Sequence, residues 1–264
     1  MIARKTWREM RGMTIAYALI LELMLLPAVL LWPNLRQGGS VLVEMMPADF
    51  LRDMMRAMTR DDDTAYRAYM AVQMFFKAGN MVGIAAAVLM GTGIVARERE
   101  NQTLEFLLAR PVSRSRILAG KFVVVAAAVV VPLIVTSWTA IPLSRLPSVD
   151  ESLPFADLTL AAIHNASFVL LILALTTFVS VLSRSQVQTA FWIGAVVVVQ
   201  LAIYFVQEIR IISGFRLSDF EVYGPILAGN RSFAEQIAAQ TGWLWLATAV
   251  LYVGADRAFR RTAL

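Results

Sequence analysis

Few side chains in this sequence could perform chemistry, and their spacing does not assemble a catalytic site. The 264 residues contain no cysteine and a single histidine, His164. That composition excludes thiol enzymes, iron–sulfur centres and cysteine-ligated zinc, and it argues against an all-histidine metal site. His164 has no second titratable group beside it, so we expect a hydrogen-bonded structural histidine rather than a proton relay.

One carboxylate, Glu22, lies inside an apolar segment. It is eight residues beyond Thr14, which is about 12 Å along a helix. A charged group at that depth in a membrane must face a partner group, a cavity or the interior of the chain. A structural hydrogen bond and a place on a translocation path both remain open for Glu22.

Methionine is concentrated in one region of the chain. Eight of the 13 methionines lie between Met45 and Met81. Thioether sulfur suits Cu(I), and methionine also forms pliable apolar surface. Because no histidine or cysteine accompanies these residues, we expect ordinary core filling, keep copper binding as the minor alternative and assign no metal site.

The composition places these residues in a membrane protein. The sequence is 58% hydrophobic and 16% charged, whereas a soluble domain is nearer half apolar and a quarter charged. A helix needs about 20 mainly apolar residues to cross the hydrocarbon core. We therefore predict an all-α membrane protein, a single transmembrane domain over residues 1–264, with six transmembrane helices: Thr14–Trp32, Phe75–Ala96, Phe122–Ile141, Leu158–Leu182, Thr189–Val206 and Gly242–Ala255.

The basic residues predict the orientation of these helices. Residues 1–13, 97–121, 183–188 and 257–264 contain 14 of the 24 Lys and Arg residues, whereas 13 of the 19 acidic residues lie in the alternate segments. The positive-inside rule therefore places both termini in the cytoplasm of a multi-pass cell (inner) membrane protein. The net charge of +5 is then a topology signal that implies lipid contact and no nucleic-acid partner.

Four further segments carry structural predictions. Residues 1–13 predict an interfacial helix, residues 33–74 a long extracytoplasmic loop, and residues 207–241 an extracytoplasmic helical segment. The second span has small residues at four-residue steps, which permits close helix approach within the chain, in a dimer or at a gate: Gly79, Gly83, Ala87 and Gly91.

The cytoplasmic loop at residues 97–121 contains the strongest local signals. Thr103 can cap a short helix that ends near Arg110, because Pro111 disfavours helical geometry in the residue before it. Ser113 can cap the helix that follows. The short helix has an apolar face of leucines at spacings of three and four, which needs a groove in lipid, in this chain or in another protein: Leu104, Leu107 and Leu108.

This loop resembles the signature of ABC-2 type permease subunits, the membrane halves of ABC transporters. The matching run is Glu98-Arg-Glu100-x-x-Thr103-Leu104-Glu105-x-Leu107-Leu108-x-x-Pro111-Val112-Ser113-Arg114. The basic N-terminus, the six spans and the long first outside loop also suit that family. One departure is Gln102, where the family usually has glycine.

The resemblance implies a type V exporter-like permease fold and a defined role for the loop. In that family the loop is a coupling helix that rests in a groove of a separate cytoplasmic ATPase, and two permease chains pair around the translocation path. The residues implied in ATPase coupling are Glu98, Glu100, Thr103, Leu104, Glu105, Leu107, Leu108, Arg110 and Pro111.

The sequence contains no phosphate-binding G-x-x-x-x-G-K-[ST] run, because its single Gly-Lys pair, Gly120-Lys121, is followed by Phe122. We therefore expect a non-enzymatic subunit, with ATP and Mg²⁺ on the partner ATPase and a second permease chain that forms a homodimer. An ion-gradient-driven transporter, a force-transmitting subunit and an intramembrane enzyme are the alternatives. The first usually shows paired broken helices and several intramembrane charges, whereas here Glu22 stands nearly alone and no repeat between the halves is evident. The residues do not name a substrate.

Overall fold

The computed structural model describes residues 2–36, 56, 64–108 and 112–261, with the side chains of Ile2, Leu107 and Leu108 excepted. Within these ranges the chain is helical and has no strand. The helices are α1 (Ile2–Leu30), α2 (Ala65–Thr92), α3 (Ala96–Glu100), α4 (Leu104–Leu108), α5 (Arg114–Ser144), α6 (Phe155–Leu182), α7 (Gln186–Phe205), α8 (Phe220–Leu227) and α9 (Phe233–Arg261).

Six of the described helices are long and apolar enough to cross a membrane: α1, α2, α5, α6, α7 and α9. This confirms the predicted all-α architecture with six spans. Each span begins before its predicted start, most clearly in the later spans α2 at Ala65, α5 at Arg114 and α9 at Phe233. The extracytoplasmic placement of residues 33–74 and 207–241 and the cytoplasmic placement of the termini stay predictions.

The N-terminal segment is helical, and α1 continues without a break from Ile2 to Leu30. At about 1.5 Å per residue this helix is about 43 Å long, which exceeds the roughly 30 Å hydrocarbon core. Residues 2–13 are thus the first part of the helix that also forms the first span, and their predicted interfacial position stays a prediction.

Helices α2 and α6 form the centre of the bundle. Most of their span residues are buried, whereas fewer than a fifth of those in α7 and α9 are buried. The small-residue face of α2 packs on α6: a Cβ added at Gly83 or Gly91 would come within 2.8 Å of the Val169 or Thr176 side chain. The small face therefore makes an intrachain helix contact.

Both α2 and α9 contain π-helical segments, over Ala71–Val82 and Ile237–Thr241. π-helical turns insert an extra residue per turn and are frequent at functional sites. At the same end of the bundle, α8 packs on α2 and α6, with Tyr223 stacked on Phe75 at 4.9 Å between ring centroids.

Candidate functional site

The loop between the second and third spans lies at the end of the bundle where the described N- and C-terminal residues meet. Lys5 of α1 lies 3.4 Å from Glu98 of α3. Arg114, in the first turn of α5, donates to the carbonyl of Arg260 in the last turn of α9 at 3.0 Å. The loop therefore contacts the ends of several spans, and its displacement would also displace them.

A buried ion pair anchors the loop to the third span. The Lys121 ammonium donates to the Glu98 carboxylate at 2.8 Å and to the carbonyl of Ile94 at 3.0 Å. The Thr103 hydroxyl donates to the other oxygen of the same carboxylate. Both side chains of the pair are less than a tenth exposed, which makes breaking the pair costly.

The environment of Glu98 keeps it ionised. Burial by itself would raise the pKa of this carboxyl, but the hydrogen bonds from Lys121 and Thr103, together with the charges of Lys121 and Lys5, outweigh burial and lower the pKa to about 2. Glu98 is therefore a permanent negative charge at neutral pH.

Further hydrogen bonds join the loop to the fourth and fifth spans. The Ser180 hydroxyl of α6 accepts from the Ala96 amide at the start of α3, at 2.9 Å, and donates to the carbonyl of Thr92 at 3.1 Å. Arg99 donates to the carbonyl of Ser183. The Glu100 carboxylate accepts from the Gln186 amide at the start of α7, at 3.1 Å.

The turn between α3 and α4 has an unusual backbone. Gln102 has a φ of 56°, in the left-handed region that favours glycine. This is the position at which the family resemblance leads one to expect glycine. The turn is closed by the Thr103 amide, which donates to the carbonyl of Glu98 at 2.9 Å.

The predicted coupling residues fall into three groups. The side chains of Glu98, Thr103 and Glu100 form hydrogen bonds with other residues of the chain, and Leu104 is buried in the apolar core. Glu105 is exposed. The side chains of Leu107 and Leu108, and all of Arg110 and Pro111, lie outside the described residues, so the role of the whole set in ATPase coupling stays a prediction.

Sequence reasoning missed two residues of this site. Phe106 of α4 is 78% exposed, which makes it the aromatic side chain that the loop presents outward. It lies three residues past Thr103 and outside the leucine stripe, so periodicity alone did not select it. Lys121 was noted only as part of a Gly-Lys pair, since its partner Glu98 is 23 residues away.

Glu22 lies half-buried at the contact between α1 and α5. The Thr139 hydroxyl lies 3.0 Å from both carboxylate oxygens and 2.8 Å from the carbonyl of Thr136. The structure thus gives Glu22 an intrachain hydrogen-bond partner. A place for Glu22 on a translocation path stays a prediction.

A second polar cluster fills the opposite end of the bundle. The Asn165 amide of α6 donates to the Asn80 side chain at 2.7 Å and to the Tyr223 hydroxyl at 2.8 Å. Asn80 in turn donates to the carbonyl of Ser218 at 2.5 Å. These four residues are fully buried, and they join the π-helical part of α2 to α6 and to the segment before α8.

His164, next to Asn165, is part of the same buried layer. Its Nε2 lies 2.7 Å from the carbonyl of Leu217 and must carry a proton, so Nδ1 accepts from Thr241 at 2.9 Å and from Gln236 at 3.2 Å. Both ring nitrogens are therefore hydrogen-bonded within the chain, as predicted, and the absence of a role in proton transfer stays a prediction. No group of three or more His, Cys, Asp or Glu side chains in the described ranges could hold a metal ion, and the methionines at positions 45–58 lie outside those ranges.

Comparison with known protein families adds an independent line of evidence. A family model described as ABC-2 family transporter protein matches residues 2–215, which include the first five spans and the loop with the buried ion pair. No curated protein matches the chain. The family match covers well over half of the 264 residues and agrees with the six spans. The chain therefore belongs to the ABC-2 family of transporter proteins and is a multi-pass membrane permease subunit.

Proposed function

We propose that this permease exports its cargo and is driven by a separate cytoplasmic ATPase, which docks on α4. The observation that carries the proposal is the position of the loop: it presents an exposed aromatic residue, Phe106, while its other contacts bind it to the ends of four spans. A partner that moves α4 would transmit this movement to the four spans through these contacts.

Specific side-chain contacts connect the loop to the spans that would move. The Glu98 carboxylate links the loop to Lys121 of the third span and to Lys5 of the first. Ser180 and Gln186 link it to the fourth and fifth spans. For ATP to change access to the cargo, the ATPase must bind α4 differently in the two states, because a ligand shifts an equilibrium only by its differential affinity.

ATP and Mg²⁺ would be bound by the partner ATPase, and a second permease chain would complete the translocation path. The family resemblance supports both expectations. The exposed Phe106 side chain on α4 supports a protein partner. A five-residue helix gains little stability from its own hydrogen bonds and depends on tertiary contacts, which a groove on the ATPase would add.

The test is affinity purification of the chain from its native membrane in mild detergent, with mass spectrometry of co-eluting proteins. We expect a stoichiometric soluble protein with a Walker A motif. The variants Phe106→Asp, Leu107→Asp and Leu108→Asp should each lose this protein while membrane insertion is retained.

A matched control is Phe233→Asp. Phe233 is also exposed (54%) but lies at the far end of α9, on the opposite end of the bundle from Arg261. It should retain the ATPase. Wild-type assembly in the three α4 variants, or a chain that purifies alone in several detergents, would refute ATPase docking at α4 and favour the gradient-driven alternative.

A further inference from the structure

Three arginines form one stripe on the N-terminal part of α1. Arg4, Arg8 and Arg11 are spaced four and three residues apart, so they lie on one face of the helix, and all three are exposed. No side chain or carbonyl in the described part of the chain accepts a hydrogen bond from them. The acidic residue of this turn, Glu9, instead lies 3.6 Å from Lys5.

Other arginines at this end of the bundle are engaged within the chain. Arg99 donates to the carbonyl of Ser183, Arg114 donates to the carbonyl of Arg260, and Arg260 pairs with Asp256 at 2.6 Å. The stripe is therefore a concentration of positive charge that the fold leaves for an external anion.

The same face of α1 continues into apolar residues. Ile15 follows Arg11 by four residues and Leu19 follows Ile15 by four, and their side chains are 59% and 63% exposed. In a membrane span, exposed aliphatic side chains such as these face lipid acyl chains. The arginines therefore lie at the level of the headgroups of the lipids whose acyl chains contact Ile15 and Leu19.

The length of α1 agrees with this placement. Arg11 lies 19 residues before Leu30, which is about 29 Å and matches the roughly 30 Å hydrocarbon core. Arg4 lies about 10 Å beyond Arg11, so the stripe crosses the headgroup layer. Trp7, 47% exposed, lies at the same level, where tryptophan is enriched.

We propose that Arg4, Arg8 and Arg11 bind the phosphate headgroup of an anionic bilayer phospholipid whose acyl chain lies along Ile15 and Leu19. Guanidinium groups bind phosphate oxygens in bidentate geometry, and a cluster of basic residues beside a span attracts anionic lipids. The continuity of the charged stripe with the acyl-facing residues favours a lipid over an acidic protein surface. This site is independent of the ATPase proposal.

The experiment is native mass spectrometry of the detergent-solubilised full chain titrated with phosphatidylglycerol or, separately, with phosphatidylcholine. The wild type should bind phosphatidylglycerol preferentially. The variant R4Q/R8Q/R11Q should bind it on the order of 100-fold more weakly, because each basic residue near the headgroups contributes about 1 kcal/mol and each 1.4 kcal/mol is tenfold.

A charge-matched control is R184Q/R257Q/R261Q, which removes three other exposed arginines at the same end of the bundle. It should retain wild-type binding. The variant R4K/R8K/R11K should bind at an intermediate level, because lysine keeps the charge but loses the bidentate contact. Three outcomes would overturn the proposal: equal loss in the stripe and control variants, equal binding of both lipids by the wild type, or a stripe variant that keeps phosphatidylglycerol but loses a co-purifying protein.

Discussion

Replacing Lys121 with methionine tests whether the buried ion pair holds the loop that contains α3 and α4 in place. Methionine fills a similar volume but leaves the Glu98 carboxylate without its 2.8 Å partner, in a site where both side chains are less than a tenth exposed. Removing one member of a buried pair costs about 3–5 kcal/mol. The Thr103 hydroxyl and Lys5 still compensate part of the charge, so we expect about 3 kcal/mol.

The assay is the apparent Tm in detergent, read as the loss of monodisperse protein on heating. At about 2–4 °C per kcal/mol for a chain of roughly this size, K121M should lower the Tm by about 6–12 °C. Tryptic cleavage within residues 97–116 should also accelerate. The double variant E98Q/K121M should lose less than the sum of the two single variants, because the two side chains interact directly.

Lys5→Met is the matched control for this experiment. Lys5 lies 3.4 Å from the same Glu98 carboxylate, but its side chain is 53% exposed. Exposed pairs contribute about 0.2–1 kcal/mol, so K5M should shift the Tm by only a few degrees. Equal shifts for K5M and K121M, or additive effects in the double variant, would refute the argument that burial makes this pair the anchor of the loop.

Three further outcomes follow from the same geometry. The pKa of Glu98 is lowered from 4.5 to about 2, so the stabilisation by its charge is complete above pH 4.5 and is lost as the pH falls through 2. The Tm difference between wild type and E98Q should therefore stay constant from pH 8 to 5 and shrink below pH 4.5. A change in this difference between pH 8 and 6 would contradict the lowered pKa as its cause. Gln102→Gly should relieve the left-handed backbone strain and stabilise the loop by about 1 kcal/mol, seen as slower tryptic cleavage; unchanged or faster cleavage would count against strain at this turn. Gly91→Ala should destabilise the protein by about 1–3 kcal/mol, because the added Cβ would lie 2.8 Å from the Thr176 side chain. The control Gly194→Ala should be neutral or stabilising, because its Cβ would have no atom within 4 Å. Tm shifts of the same sign in both variants would exclude close packing as the reason for Gly91.

The number of spans could be predicted from the sequence because lipid exposure demands long apolar runs. Their boundaries were harder to predict where protein rather than lipid surrounds the chain. Tyr66 and Tyr69 lower the hydropathy before Phe75, but both are buried in α2, where Tyr66 pairs with Ser144 at 2.6 Å and Tyr69 donates to the carbonyl of Ala28 at 2.8 Å. Polar groups satisfied in this way cost little, so the helix extends beyond the apolar run.

The loop could be located from local signals, since caps, a proline and short-range periodicity operate within a few residues. Ser113 accepts from the Arg116 amide and caps the start of α5, as predicted. The anchor could not be found in this way. Lys121 and Ser180 meet the loop from 23 and 84 residues away, and their pairing depends on how the spans pack.

The second polar cluster shows why some fully buried residues leave no sequence signal. Asn80 and Asn165 look like ordinary polar interruptions of apolar spans, and the bond from Asn80 to Ser218 joins residues 138 positions apart. Asn80 lies in the π-helical part of α2, where an extra residue per turn shifts the register, so a period of 3.6 assigns side chains to the wrong face. Gly79, beside it, has no room for a Cβ because Asn165 occupies that space. The absence of a side chain at Gly79 therefore leaves the space that the Asn165 amide occupies when it bonds Asn80.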